Sequence, residues 1–190
     1  MRFSGLTLIL ASALCGLAHI EPLIGQDWER ANAETVRLKP AAFSELPVAV
    51  RQELERRGCE VPQTFSNKAP HNIVRGRFTN AAQMDIAVLC SKEWFTAVLV
   101  FRGGSTAAVA ELARRPDADF LQVVGSGGVV GYSRALGVAN PKYIREHSAR
   151  YRGPKPPPLD HEGINDIFVE KASVVWYWYD GRWLEIQGAD

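Results

Sequence analysis

At 190 residues, with 46% hydrophobic and 23% charged side chains, the chain can bury one sizeable core and is too apolar to stay disordered. Its 22 basic and 21 acidic residues nearly cancel, so it lacks the basic excess that a nucleic-acid footprint requires.

The opening "MRFSGLTLILASALCGLAHI" carries one charge, Arg2, and then an apolar run from Leu6 to about Leu17. That run is too short for a stable bilayer anchor and ends in small residues, so residues 1–18 read as a secretory signal with cleavage before His19. The mature chain would be neutral and carry no stable membrane anchor. Lipidation of Cys15 is not expected, because Ser12 and Leu14 occupy the positions where an aliphatic and a small residue are needed. Export to a periplasmic or extracellular compartment follows. With Cys15 removed, Cys59 and Cys90 remain, and an even pair in an oxidising compartment is most simply a disulfide. Neither belongs to a C-x-x-C, which disfavours a redox thiol.

Residues 19–40 show no clear apolar period and read as an extended lead-in to a single α+β domain over 41–190. In "FSELPVAVRQELERRGC", Ser44 can cap a helix, Pro47 fits its first turn and Gly58 its left-handed end. Leu46, Val50 and Leu54 line one face of it. Three strand-like runs follow, "NIVRGRF", "MDIAVLC" and "FTAVLVF", with breaks short enough for hairpins. "DFLQVVG" is the fourth strand candidate, after which "GSGGVVGY" interrupts the pattern. "NPKYIREHSARYR" predicts a second helix, capped by Asn140 with Pro141 at its first position. Tyr143, Ile144 and Tyr151 share a face with His147. "GPKPPP" is a stiff extended connector. These elements predict an antiparallel sheet, a meander plus a C-terminal aromatic hairpin, with two helices packed on it.

The hairpin lies in "SVVWYWYDGRWLEIQGAD". Asp180-Gly181 suits a two-residue type I′ turn, which pairs Trp178 with Trp183 and Val175 with Ile186. A three-residue loop with a glycine bulge would instead shift the pairing by one and reassign every face. With the two-residue turn, alternation puts Val175, Tyr177, Leu184 and Ile186 on a core face. Trp176, Trp178, Trp183 and Glu185 fall on the other face. That second face reads either as a cross-strand tryptophan contact that stabilises the hairpin or as a platform for a saccharide or a protein partner of the cell envelope.

"GRFTNAAQMDIAV" resembles the calcium-loop repeat of FG-GAP and integrin-type β-propellers, G-D-F-N-G-D-G-x-x-D-x-A-V. Gly76, Phe78, Asp85, Ala87 and Val88 match its skeleton. Arg77, Thr79 and Ala81 stand where that repeat places oxygen ligands, so the resemblance implies a strand–turn–strand and argues against a metal there. More broadly, "GCEVPQ", "GRFTNAAQMDIAVLC" and "DHEGINDIFVEKAS" with the closing hairpin look similar to a group of small exported bacterial proteins of unknown function. This resemblance implies export and one domain but no activity.

"DHEGIND" gathers Asp160, His161, Glu162 and Asp166, residue types that serve acid–base chemistry or a hard cation. A polar turn before the next strand is the plainer reading. The glycines around Ser126 fit neither a G-x-S-x-G nucleophile turn nor a dinucleotide fingerprint. No cofactor is expected. A non-enzymatic binding domain is the leading expectation, with a small hydrolase using Asp160–Asp166, or a structural accessory domain, as alternatives.

Overall fold

Ile86 to Cys90 and Thr96 to Phe101 are unbroken runs of buried residues, so both faces of their strands must be covered. The parity of the side chains shows by what. A computed structural model describes residues 23–125, 128–151 and 154–190; the expected leader with Cys15, and Ser126, lie outside them. Strands β4 (Asp85–Lys92) and β5 (Phe95–Phe101) form the centre of an antiparallel sheet flanked by β3 (Ile73–Gly76) and β6 (Val109–Pro116). Ile86, Val88, Cys90, Leu99 and Phe101 face Val50 and Leu54 of helix α2 (Val48–Arg57). The alternate residues, Ala87, Leu89, Val98 and Val100, face the other way and meet Ile164, Trp176 and Trp183.

Those partners belong to a second antiparallel sheet, in the order β12 (Arg182–Gln187), β11 (Ala172–Tyr179), β10 (Gly163–Phe168), β9 (Arg134–Ala139). Its far face, Ala139, Val175, Tyr177 and Ile186, packs on Ile144 of helix α3 (Pro141–Arg150). The layers therefore run helix, sheet, sheet, helix. Among the described residues no helix is long and apolar enough to cross a membrane.

The α+β class and the antiparallel pairing agree with the expectation from sequence, but the sheet is divided. Among the described residues the two four-stranded sheets are accompanied by two ribbons, β1 (Arg37–Leu38) with β2 (Val61–Pro62) and β7 (Leu121–Val124) with β8 (Val129–Tyr132). The fourth strand of the meander is Val109–Pro116, a polar edge strand whose sequence "VAELARRP" conceals it; the expected "DFLQVVG" strand pairs within a ribbon instead. A third helix, α1 (Leu23–Glu34), occupies most of the segment read as extended. Its local pattern is weak, and it is held by tertiary contact: Trp28 and Ala31 pack on Leu121 and Tyr132. The Arg37 guanidinium then takes up the Asn32 and Thr35 carbonyls at its end.

The helix ends follow the sequence closely, with one exception. Gly58 closes α2 in the left-handed region at φ 73°, and the Asn140 side chain accepts from the Tyr143 N–H at 2.8 Å to cap α3. At the start of α2, Pro47 rather than Ser44 is the boundary residue, with φ −54° and ψ 142°. The Cys59–Cys90 disulfide forms and ties the end of α2 to β4.

Candidate ligand-binding cleft at the aromatic hairpin

Asp180 and Gly181 both take positive φ, 49° and 76°, the two left-handed positions of a type I′ turn. The register is therefore the two-residue one: Tyr179 opposes Arg182, Trp178 opposes Trp183 and Val175 opposes Ile186. Every side chain falls on the face that this pairing assigns.

The tryptophan face does not form one open surface. Trp176 and Trp183 pack into the interior between the sheets, and the Trp176 Nε1–H points to Asp166 Oδ2 at 3.3 Å. Trp183 meets Trp178 edge-on at 5.4 Å between centroids, and the Arg102 guanidinium lies 3.8 Å from the centre of the Trp178 ring. Glu185 is exposed on the edge strand. Of the three rings, Trp178 is the one that reaches a surface cleft at the hairpin tip.

The polar loop divides too. His161 is buried and stacks on Tyr177 at 4.3 Å. Its Nδ1 lies 2.8 Å from the Glu162 carbonyl and its Nε2 3.0 Å from the Trp178 carbonyl. Glu162 accepts from the Arg77 N–H at 2.7 Å. Asp160 is 80% exposed, and its Oδ1 accepts from the Tyr177 hydroxyl at 3.1 Å. Burial raises the Tyr177 phenol above its usual value, so it stays a donor. Gly163 lets this loop approach β11, since a Cβ there would lie 2.4 Å from Val175 Cγ1. Asp166, three residues on, faces the opposite side and is bound by Arg134. Asp160 and His161 thus share Tyr177 and lie 3.8 Å apart, whereas Glu162 and Asp166 are engaged elsewhere. Among the described residues no group of three or more His, Cys, Asp or Glu side chains could hold a metal ion together.

The other described histidines, His71 and His147, are similarly fastened to their surroundings. His71 Nε2 lies 2.8 Å from the Thr64 N–H and hydroxyl and closes the 63–71 loop; His147 Nδ1 lies 2.9 Å from the Tyr143 carbonyl on α3. Asp85, the matching acid of the FG-GAP-like loop, accepts from the Phe78, Thr79 and Gly103 N–H groups and from the Thr79 and Gln83 side chains. That carboxylate organises its turn through protein donors.

What remains is a cleft of about 360 Å³ built from three distant segments. Thr79 and Asn80 come from the turn before β4, Asp160 and His161 from the connector, and Trp178, Tyr179 and Asp180 from the hairpin. Its chemistry is an indole wall, a 40% exposed Tyr179 and two carboxylates. Among the described residues neither carboxylate has a Lys or Arg partner within ion-pair distance; Asp160 has only His161, at 3.8 Å. The sequence marked Trp178, Asp160 and His161 but missed Thr79, Asn80, Tyr179 and Asp180. The turn sequence Asp180-Gly181 signalled the hairpin and not the cleft, and nothing local links Asn80 to it.

Comparison with protein-family models, with curated proteins and with solved structures found no match to this chain.

Proposed function

We propose that the protein is an exported, disulfide-locked binding domain that takes a saccharide in the hairpin-tip cleft. The observation that carries the reading is the convergence of Trp178, Asp160, Asp180 and Asn80 from three segments on one concavity. Pyranose rings stack their apolar C–H face on an indole and spend their hydroxyls on acceptors such as carboxylates and amides. Here the Tyr177 hydroxyl fixes Asp160 through Oδ1 and leaves the other oxygen for a ligand. The cleft's size is within the ordinary range of small-molecule sites. Export is supported by the apolar leader and by a disulfide, a bond that persists in oxidising compartments.

The test is a titration of the full mature chain with neutral chito- and malto-oligosaccharides, read by tryptophan fluorescence and calorimetry, with choline as a cationic control. Saturable binding of a saccharide that weakens about tenfold in Asp160→Asn and Asp180→Asn supports the reading, each lost charge-assisted hydrogen bond accounting for roughly that factor. Both positions are exposed, so folding is not at stake. Binding of choline alone, or saccharide binding unchanged in both variants, overturns it. Export is checked separately: protein from the envelope fraction should start near His19 and show no free thiol.

A further inference from the structure

Helix α2 is ten residues long and so covers only about 15 Å of the sheet beneath it. Past Gly58 the sheet surface carries the exposed Lys92 at the end of β4 and Phe95 on β5, with Ala97 buried and β6 at the edge. With the basic last turn of α2 these residues line a cavity of about 430 Å³ beside the disulfide. Its ionisable lining is Arg56, Arg57, Lys92 and Arg114 against one carboxylate, Glu111.

The placement of Arg114 is a constructed feature. Val98 pairs with Leu112, and an unbroken ladder would set Arg114 opposite Thr96, whose side chain is wholly buried. Instead the register shifts, and Thr96 pairs with Arg115. The extra residue is accommodated at Ala113, which takes φ 49°, a region L side chains rarely adopt. This bulge turns Arg114 to the α2 side, where its guanidinium lies 4.7 Å from the centre of the 40% exposed Phe95 ring. Bulges that re-aim one side chain are a recurrent device at binding sites. The neighbouring turn, Glu93 and Trp94, also holds two non-glycine residues at positive φ.

Each of the four cations has a carboxylate within 3.9 Å, three acids against four bases, but the tight pairs are confined to Arg56 and Arg57. Glu53 lies outside its lining and hydrogen-bonds both Arg56 and Arg57, which hold its carboxyl down to about 2. Glu111 stands 3.8 Å from Arg114, and Glu93 stands 3.9 Å from Lys92, beyond hydrogen-bonding distance in both cases. Arg114 and Lys92 keep their donors for a ligand.

We propose that this cavity is a phosphate site: it takes the phosphoryl group of a soluble phosphate ester or of an anionic lipid headgroup, held by the Arg114 and Lys92 side chains beside Arg56 and Arg57, with Phe95 as an apolar wall. Guanidinium forks match phosphate oxygens two at a time, and several cations around one concavity favour a multiply charged anion over a single carboxylate.

The experiment uses the full oxidised chain at low ionic strength. Inorganic pyrophosphate is titrated by calorimetry, and flotation with phosphatidylglycerol vesicles is run in parallel with phosphatidylcholine vesicles. The paired variant Arg114→Gln/Lys92→Gln removes two cations whose side chains are each 54% exposed; Arg30→Gln, on α1, is the control. Pyrophosphate binding that falls about tenfold or more in the paired variant and not in the control supports a soluble phosphate ester. Flotation with the anionic vesicles that is lost in the same variant, with weak pyrophosphate binding, supports the headgroup. Absence of both, or binding that the paired variant leaves intact, overturns the proposal. Equal melting temperatures for the variants exclude unfolding as the cause.

Discussion

Arg134 donates to Asp166 through both Nε, at 2.9 Å, and Nη2, at 2.7 Å, and neither side chain has more than marginal contact with solvent. The same guanidinium gives Nη1 to the Thr96 carbonyl and Nη2 to the Ala113 carbonyl. Asp166 lies on β10 of the second sheet, whereas Thr96 and Ala113 belong to the first. One buried cation thus bridges both layers of the sandwich with its donors matched. Removing either partner leaves an uncompensated charge inside, which costs about 3–5 kcal/mol. Arg134→Ala and Asp166→Ala should each lower stability by that order in urea melts. The double replacement Arg134→Met/Asp166→Leu should recover most of the loss, and an additive result would show that the pair is not coupled.

Tyr132 supplies a test by pH. Its hydroxyl is buried and donates to Thr96 Oγ1 at 3.3 Å, and Thr96 in turn donates to the buried Asp117. Burial pushes its phenol well above the usual 10.0. The folded state therefore keeps a proton that the unfolded chain releases above pH 10. With more protons bound in the native state, stability falls as pH rises, at about 1.4 kcal/mol per pH unit from this one group. Below pH 10 the contribution is intact. Denaturation midpoints between pH 9 and 11 should show the decline, and Tyr132→Phe should flatten it. An equal slope in that variant would place its origin elsewhere, with Tyr177 the next candidate.

The disulfide contributes in a different way. Cys59 and Cys90 are separated by 31 residues, and closing a loop of that size restrains the unfolded chain by about 3–4 kcal/mol in the chain-entropy model. Cys59→Ser/Cys90→Ser should lose that order of stability, and reductant should shift the wild type to the variant's melting temperature while leaving the variant unchanged. It should also loosen the end of α2 and with it Arg56 and Arg57.

Local chemistry was the part of this molecule that the sequence made legible. Asp180-Gly181 marked the hairpin, though without excluding a longer loop of shifted register, and Gly58 and Asn140 marked helix ends, because these are settled within a few residues. The cysteine count, with Cys15 assigned to the leader, left one pairing for the bridge. The division into two sheets was not, since runs such as Ile86–Cys90 bury both faces and so do not say whether a helix or a sheet covers each. The polar β6 shows its role only through its pairing with β5. Similarly, "DHEGIND" looks like one cluster along the chain. The strand that begins at Gly163 alternates its side chains, sending Asp166 inward to Arg134 while Asp160 stays at the surface. The hairpin-tip cleft depends on Asn80 and Trp178 lining one concavity from distant parts of the chain, which has no local signal.

The tryptophans can be separated by substitution, because they occupy unlike surroundings. Trp183 packs between the sheets, and its buried Nε1–H has no acceptor among the described residues. Truncation to alanine should cost about 3 kcal/mol, the low end for a large aromatic, because the ring is half-buried. Trp183→Phe keeps most of the packing and removes the orphaned donor, whose desolvation is an expense to the native state. That variant should be close to wild type in stability or slightly above it. Trp178 lines the cleft and lies under Arg102, so Trp178→Ala should cost less stability and abolish saccharide-induced fluorescence change. Thermal melts and titrations on the same three variants check the assignment. A Trp178→Ala loss as large as that of Trp183→Ala would make Trp178 a core residue and remove the wall of the proposed site.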